Sequence, residues 1–328
     1  MLYFYVMLKG KNIKILLKSL LGLLLFLWMA NSLYHQIRLQ PGLKSTIHDI
    51  LSGWDASRLG LLGLVLLFMG LNWGIEAIKW RLQLRDTERL SLGESIQSVL
   101  TGLAVSVITP NRIGEYMGRI LYLKNVHKLQ GITVTIIGSF AQLIVTGFLG
   151  LVGLIWYMSR IEHSPWLWVL LGSSILLCTV LTYLYFHLDR LLDWVGHIQV
   201  LRRIRIYLEI VRRFDRAILH RILLLSLGRY VVYTVQFLLL LNLMLVTGPW
   251  VDMMFTVWLI FWAMAIVPTI AIAEIGIRGE TALFFLGPVC GNPFGIVTAS
   301  LLLWLINLII PALLGCLFVF RMKIYDDD

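Results

Sequence analysis

The chain has 328 residues, of which 59% are apolar and only 14% are charged. Soluble domains are about half apolar and carry about a quarter charged residues, so this chain has too little charge for a water-facing surface. The composition excludes a soluble domain, a disordered chain and a secreted disulfide scaffold. It predicts an all-α polytopic membrane protein in which residues 1–328 form a single integral membrane domain. The net charge of +10 is explained by membrane topology, so we expect no nucleic-acid partner.

The apolar stretches predict where the chain crosses the membrane. A helix needs about 20 predominantly apolar residues to cross a hydrocarbon core of roughly 30 Å. The stretches that reach or approach this length are residues 13–34, 58–79, 92–109, 131–158, 166–187, 221–247, 251–272 and 294–320. The first resembles a signal peptide, but Trp28 stands where a small residue would precede a cleavage site. We therefore interpret it as an uncleaved crossing.

The distribution of Lys and Arg argues against eight straight crossings, because these residues collect on the cytoplasmic side. Eight crossings would place the basic clusters at 112–128 and 190–221 outside. Both clusters fall inside if 92–109 enters from the cytoplasm, turns at Pro110 and Asn111, and returns along 112–124. The return limb of 13 residues is about 20 Å of helix, too short to span. This segment is predicted to be a re-entrant helical hairpin.

The second half of the chain carries a similar segment. Pro268 interrupts an apolar run, and a short limb at about 274–286 follows. In each hairpin a glutamate comes five or six residues after the proline, and an arginine four residues after that. Broken helices in an inverted-topology repeat are typical of transporters. We predict six full transmembrane helices plus two re-entrant hairpins, with repeat 1 at about 58–158 and repeat 2 at about 221–320.

Two further segments complete the predicted topology. The arginine-rich stretch 188–220 is predicted to be a basic amphipathic cytoplasmic connector that lies along the anionic leaflet. Both chain termini are expected to be cytoplasmic. Ser91 and Glu94 form a capping-box pattern that would begin the first hairpin.

Charged residues within the apolar segments are the candidate site, because each costs roughly 2.5–3.5 kcal/mol near the bilayer centre. The candidate substrate-binding residues are Arg112, Glu115, Arg119, Arg229, Glu274 and Arg278. One hypothesis is a polar chamber in which arginine forks hold a phosphate group. The other is that Glu115–Arg119 and Glu274–Arg278 are internal ion pairs that hold the hairpins together. Arg112 and Arg229 have no acidic partner nearby in sequence, which favours them as ligand contacts.

The remaining polar residues are not assigned to this candidate site. Glu76 lies close to the end of its predicted helix and is expected to reach water at the interface. No paired carboxylates and no nucleophile–base arrangement are visible, so no catalytic residue and no metal ligand are predicted. The seven histidines lie away from the hairpins.

The run from Thr109 to Arg119, TPNRIGEYMGR, together with Glu274-Ile-Gly-Ile-Arg278, resembles the lysylphosphatidylglycerol synthase transmembrane, or flippase-like, family. That family includes the membrane half of the multiple peptide resistance factor. The resemblance covers about residues 10–322 and implies a bacterial or archaeal inner-membrane protein that moves a phospholipid or a related anionic or modified lipid between leaflets. Asn111 stands where the family often has glycine, and Glu280 follows Gly279 where an Arg-Glu pair is more usual.

Three functions remain open at this stage. The first is lipid transport without enzymatic activity, and the second is an intramembrane lipid-modifying enzyme. The third is an accessory subunit of a glycolipid or cell-envelope pathway. No G-x-x-x-x-G-K-[ST] loop is present in the sequence, so we expect neither ATP hydrolysis nor a bound cofactor. The expected partners are membrane lipids, together with a second copy of the chain or a protein of cell-envelope biosynthesis.

Overall fold

A computed structural model provides the fold. It describes Asn31, Tyr34, His35 and Arg38, and then residues 42–85, 87–107, 109, 113–123, 128–188, 190, 210, 212, 214–266 and 271–325. Within these ranges the regular elements are all helices. Apart from Asn31 and Tyr34, the predicted first crossing at 13–34 lies outside the described residues, as do Pro110, Asn111, Arg112, Pro268 and most of the connector 188–220.

From residue 42 onward, the described ranges contain eleven α-helices, α1 to α11 in chain order. They are α1 Leu43–Ser52, α2 Ala56–Leu84, α3 Leu92–Val107, α4 Gly114–Arg119, α5 Lys128–Arg160, α6 Pro165–Phe186, α7 Arg216–Leu243, α8 Trp250–Ile266, α9 Ala271–Leu286, α10 Pro293–Trp304 and α11 Ile310–Tyr325. A 3₁₀ turn, Ile120–Tyr122, extends α4, and a π-helical segment, Leu305–Ile309, joins α10 to α11.

Five of the described segments are long and apolar enough to cross a membrane. They are α2, α5, α6, α7 and the continuous stretch from Pro293 to Val319. These segments coincide with five of the six predicted full crossings, and α3 and α8 are shorter apolar helices. The chain is therefore a multi-pass helical membrane protein.

Local sequence sets where several helices begin. The side chain of Asp55 accepts a hydrogen bond from the Arg58 backbone N–H at 2.9 Å and caps α2. Before α3, Ser91 Oγ accepts from the Glu94 N–H at 3.2 Å, while Glu94 Oε2 accepts from the Ser91 N–H at 2.8 Å. The predicted capping box is confirmed, because each side chain satisfies a backbone donor that the helix leaves unpaired.

Helix α4 lies against α3 and runs antiparallel to it. A Cβ atom at Gly118 would lie 2.5 Å from Gly102 Cα, and one at Gly102 would lie 2.7 Å from the Glu115 carbonyl oxygen. Ser98 Oγ also donates a hydrogen bond of 2.9 Å to the Arg119 carbonyl. The glycines allow the two backbones to touch, which is the usual way in which helices associate closely in membranes.

The two halves of the chain pack reciprocally. Helix α11, which ends the second half, packs on α3, and α5, which ends the first half, packs on α8. A Cβ atom at Gly315 would overlap the Leu100 carbonyl oxygen, and one at Gly153 would lie 2.6 Å from the Phe255 carbonyl oxygen. Helices α2 and α7 pack on each other along much of their length and bring polar residues from both halves together.

Candidate functional site

The carboxylate of Glu76 lies at the centre of a buried ion cluster. Its Oε2 atom is 2.7 Å from Lys79 Nζ and 2.7 Å from Arg229 Nη1. Its Oε1 atom is 2.9 Å from Arg119 Nη2. The Glu76 side chain is only 4% exposed, so the three cations replace the water that the carboxylate would otherwise require. One side chain thus joins α2, α4 and α7.

The expectation that Glu76 reaches water was wrong. The predicted crossing ended at residue 79, whereas α2 continues to Leu84. Glu76 therefore lies about two turns, or about 12 Å, before the end of the helix. Asn72, Glu76 and Lys79 are spaced at i, i+4 and i+7 on one face of an apolar helix, and this pattern is the sequence signal that could have identified the buried cluster.

Arg119 connects α4 to α2 and is almost completely buried, with a side chain that is 2% exposed. Its Nη2 atom contacts Glu115 Oε1 at 2.5 Å in addition to Glu76. Its guanidinium also lies over the Trp80 ring, 5.6 Å from the ring centroid. These contacts hold α4 against α2, and they enclose the Arg119 side chain.

Arg229 has an acidic partner that its own helix does not supply. Besides pairing with Glu76, it donates from Nε to Asn72 Oδ1 at 2.8 Å and lies over the Trp73 ring at 5.0 Å. The partner comes from α2, because α7 packs directly on that helix. The Arg229 side chain nevertheless remains 22% exposed, so it is accessible to a ligand.

Helix α9 carries the remaining predicted pair. Arg278 donates from Nη2 and Nε to Glu274 Oε1 at 2.7 Å and 3.2 Å. The backbone carbonyl of Arg278 accepts a hydrogen bond of 3.2 Å from Ser300 Oγ in α10. Glu280 lies two residues further along α9 and is partly exposed. Both internal ion pairs that the sequence suggests, Glu115–Arg119 and Glu274–Arg278, are formed.

A chain of amide hydrogen bonds extends from Arg229 across the helix packing. Asn72 Nδ2 donates to Asn307 Oδ1 at 3.1 Å, and Asn307 Nδ2 donates to Gln236 Oε1 at 2.9 Å. Gln236 Nε2 then donates to the Val65 carbonyl at 2.9 Å. Asn307 lies in the π-helical segment, and such single-turn π segments occur often at functional sites. Sequence reasoning missed this network because each member looked like an isolated polar residue.

A cavity of about 270 Å³ adjoins these residues and brings Arg229 and Arg278 to one space. Its lining also includes the amides of Asn72 and Asn307 and a group of aromatic side chains. These aromatic residues are Trp73, Tyr230, Tyr233, Phe261 and Trp304. Of the predicted site residues that the structure describes, only Arg229 and Arg278 are among those that line this cavity, whereas Arg119 is buried and is not part of the lining.

The charges around the cavity favour an anion. In the cluster around Glu76, the cations Lys79, Arg119 and Arg229 outnumber the carboxylates of Glu76 and Glu115 by one positive charge. Arginine presents fixed N–H donors that match phosphate and carboxylate oxygens. No group of three His, Cys, Asp or Glu residues that could hold a metal ion occurs within the described part of the chain.

Comparison with known families agrees with the resemblance noted above. The family model described as lysylphosphatidylglycerol synthase TM region matches residues 15–315, which confirms the predicted family over nearly the whole chain. No curated protein gives a match to this chain.

Proposed function

The chain belongs to the lysylphosphatidylglycerol synthase TM region family, and from this premise we propose that it transports a lipid with an anionic headgroup between membrane leaflets. One observation carries the proposal: two arginines from different parts of the fold line one cavity among apolar helices. Such a cavity can hold a charged headgroup while the acyl chains remain in the surrounding lipid.

The proposed topology places α3–α4 and α8–α9 as re-entrant hairpins of an inverted repeat, about 58–158 and 221–320. Two observations support it. Each half has a long helix, then two shorter helices, then a long helical stretch of 33 residues in the first half (α5) and from Pro293 to Tyr325 in the second. The reciprocal contacts α3–α11 and α5–α8 are what a twofold relation between the halves would produce. Substrate sites in such folds lie near the bilayer midplane between repeats.

In the proposed mechanism, Arg229 and Arg278 hold the phosphate group of the lipid. The hydrogen bonds of Arg229 use Nε and Nη1, and those of Arg278 use Nε and Nη2. Among the described residues, one terminal nitrogen of each guanidinium therefore has no hydrogen-bond partner and is available to a ligand. Their paired carboxylates, Glu76 and Glu274, orient the two forks without entering the cavity. Arg119 and Glu115 instead hold α4 in place through their ion pairs. Asn111 and Arg112 lie outside the described residues, so they remain candidate substrate-binding residues on the sequence alone.

We propose transport in preference to chemical modification of the lipid. The site offers cations, amides and aromatic rings, which bind and orient a headgroup. Alternating access would proceed by movement of one half against the other around the cavity, as in other inverted-repeat transporters. The sequence contains no phosphate-cradling nucleotide loop, so we do not propose that ATP hydrolysis drives transport. The direction of transport would instead follow the supply of the lipid in one leaflet and its consumption in the other.

The test is reconstitution of the purified chain into liposomes that carry a fluorescent anionic phospholipid, with a membrane-impermeant quencher to follow its appearance in the outer leaflet. Arg229→Gln and Arg278→Gln should each slow movement about tenfold or more, because a charge-assisted hydrogen bond contributes about 1.5–3 kcal/mol. Arg160→Gln, on an exposed residue at the end of α5, is the matched control and should leave the rate unchanged.

Two results would reject the proposal. One is movement no faster than in protein-free liposomes. The other is a new lipid product in the same vesicles, which would indicate an enzyme. Size-exclusion profiles of each variant establish that the proteins compared are folded.

A further inference from the structure

A second cavity lies at the end of α2, apart from the cavity between Arg229 and Arg278. It has a volume of about 370 Å³, and its lining consists of Arg81, Arg85, Glu88, Arg89 and Leu90. As far as the described residues go, the two linings share no member. Arg85 lies nine residues, or about 14 Å of helix, beyond Glu76, so the two cavities are separate spaces.

The backbone around this second cavity is fixed at both ends. The Leu84 carbonyl accepts hydrogen bonds from the backbone N–H groups of Thr87 and Glu88, at 2.9 Å and 2.8 Å, and from Thr87 Oγ1 at 3.0 Å. At the other end, the Ser91–Glu94 capping box begins α3. Leu90 is 5% exposed and belongs to the same apolar core as Leu84. The connection between α2 and α3 is therefore held by its own contacts and needs no ligand to fix it.

The lining of the second cavity is basic. Arg81, Arg85 and Arg89 are exposed, whereas Glu88 is only 8% exposed. Among the described lining residues, positive charges exceed negative charges by two. Within the same part of the chain, the guanidiniums of Arg81 and Arg89 have no hydrogen-bond partner. Several guanidiniums around one space match the oxygens of a phosphate group.

A purely structural role does not account for this arrangement. Cations near the end of a helix stabilise the helix dipole, and Arg81, in the last turn of α2, can do so. Arg89, however, lies beyond the helix, and the Leu84 carbonyl already accepts three hydrogen bonds. The helix dipole also does not require that the arginines surround a cavity.

The length of α2 places these arginines at the level of lipid headgroups. Its 29 residues measure about 43 Å, and a bilayer with its headgroup regions measures roughly 40–45 Å. Ile78, Arg81 and Arg85 lie at i, i+3 and i+7 on one face of the helix. Ile78 is 46% exposed, and Leu92, the first residue of α3, is 44% exposed. A lipid can therefore place its acyl chains beside apolar side chains and its phosphate among the arginines.

We propose that the cavity formed by Arg81, Arg85 and Arg89 is a second lipid site, which binds the phosphate group of an anionic lipid of the cytoplasmic leaflet. The proposed topology puts this end of α2 on the cytoplasmic side, because α3 begins the first re-entrant hairpin there. That leaflet carries the anionic lipids that attract Lys and Arg near the membrane surface. The inference rests on the topology that the proposed function includes, but it does not require that the chain transports lipid.

The test measures binding of dihexanoyl phosphatidic acid to the full chain in detergent by microscale thermophoresis. All proteins compared carry Arg229→Gln and Arg278→Gln, which remove the cations that line the first cavity in the described part of the chain. In this background, Arg81→Gln and Arg85→Gln should each weaken the affinity about fivefold, and the two together about twentyfold. Arg81→Lys with Arg85→Lys should keep most of the affinity, because lysine retains the charge.

Arg221→Gln is the matched control. Helices α2 and α7 run antiparallel, and Arg221 lies eight residues before Arg229, as Leu84 lies eight residues after Glu76. The substitution therefore removes one positive charge at a similar depth. Arg221 is exposed and is not part of the lining of the second cavity, so the affinity should stay within about twofold of the background protein.

Two further probes identify the source of the phosphate. Inorganic phosphate has no acyl chains, and dihexanoyl phosphatidylcholine has no net charge. Each should bind at least about tenfold more weakly than phosphatidic acid, because each lacks one of the two features that the site recognises. Inorganic phosphate that binds as tightly as phosphatidic acid would overturn the lipid assignment, and phosphatidylcholine that does so would overturn the role of the arginines.

Three other results would also overturn the inference. They are loss of all phosphatidic acid binding in the background protein, unchanged affinity in the Arg81→Gln and Arg85→Gln proteins, and an equally large loss in the Arg221→Gln control. Size-exclusion profiles establish that the variants are folded. Binding that depends on Arg81 and Arg85, in a chain that does not move lipid in liposomes, would reject transport and leave the second site intact.

Discussion

Glu76 in α2 and Arg229 in α7 form an ion pair of 2.7 Å between Glu76 Oε2 and Arg229 Nη1. Among the described residues, Arg229 is also one of the two cations that line the cavity. The packing of the two halves and the geometry of the proposed binding site therefore depend on the same pair.

Glu76→Gln should lower the free energy of unfolding by about 3–5 kcal/mol, because it leaves the buried Lys79 and Arg119 and the partly buried Arg229 without their shared counter-ion. The measurement is unfolding by SDS titration in mixed micelles. Glu162→Gln, at an exposed residue in the loop after α5, is the control and should change stability by less than about 0.5 kcal/mol. Equal losses for the two variants would contradict the central role of Glu76.

Glu115→Gln should cost much less, about 1 kcal/mol or below, although Glu115 contacts the same arginine. The Glu115 side chain is 27% exposed, and Arg119 keeps its ion pair with Glu76 when Glu115 is changed. The same SDS titration measures both variants. A loss for Glu115→Gln as large as that for Glu76→Gln would mean that burial does not determine the difference.

Gly118→Ala should destabilise the chain by about 1–3 kcal/mol, because the added methyl group overlaps Gly102 Cα and forces α4 away from α3. Gly63→Ala in α2 is the matched control, since nothing lies within 4 Å of its Cβ position. That control should be neutral or stabilising by up to about 1 kcal/mol, because alanine favours the helix. Thermal unfolding followed by circular dichroism compares the two, and similar behaviour would remove the evidence for close α3–α4 packing.

Asn307→Leu should destabilise by about 1–3 kcal/mol for each buried amide group that it leaves unpaired, namely Asn72 Nδ2 and Gln236 Oε1. Gln236→Leu should have a similar effect, and the double variant should lose less than the sum, since each single change already breaks the shared hydrogen bond. Asn242→Leu, at an exposed position of α7, serves as control. Additive losses would show that the two amides act independently.

The sequence alone predicted the elements that depend on local properties. Apolar length located the spanning helices, as α5, observed at Lys128–Arg160 and predicted at 131–158, illustrates. The Ser91–Glu94 capping box and the Glu274–Arg278 pair were also accessible, because their partners lie three or four residues apart. At these distances the helix itself fixes the geometry.

The site required the tertiary structure. Glu76 meets Arg119 across 43 positions of the chain and Arg229 across 153, and Asn72 meets Asn307 across 235. These contacts depend on how α2 is rotated about its axis and on which part of α7 lies beside it. Both are set by the packing of whole helix faces against each other. A linear pattern shows which residues are polar, but only the packed helices determine which of them share a buried space.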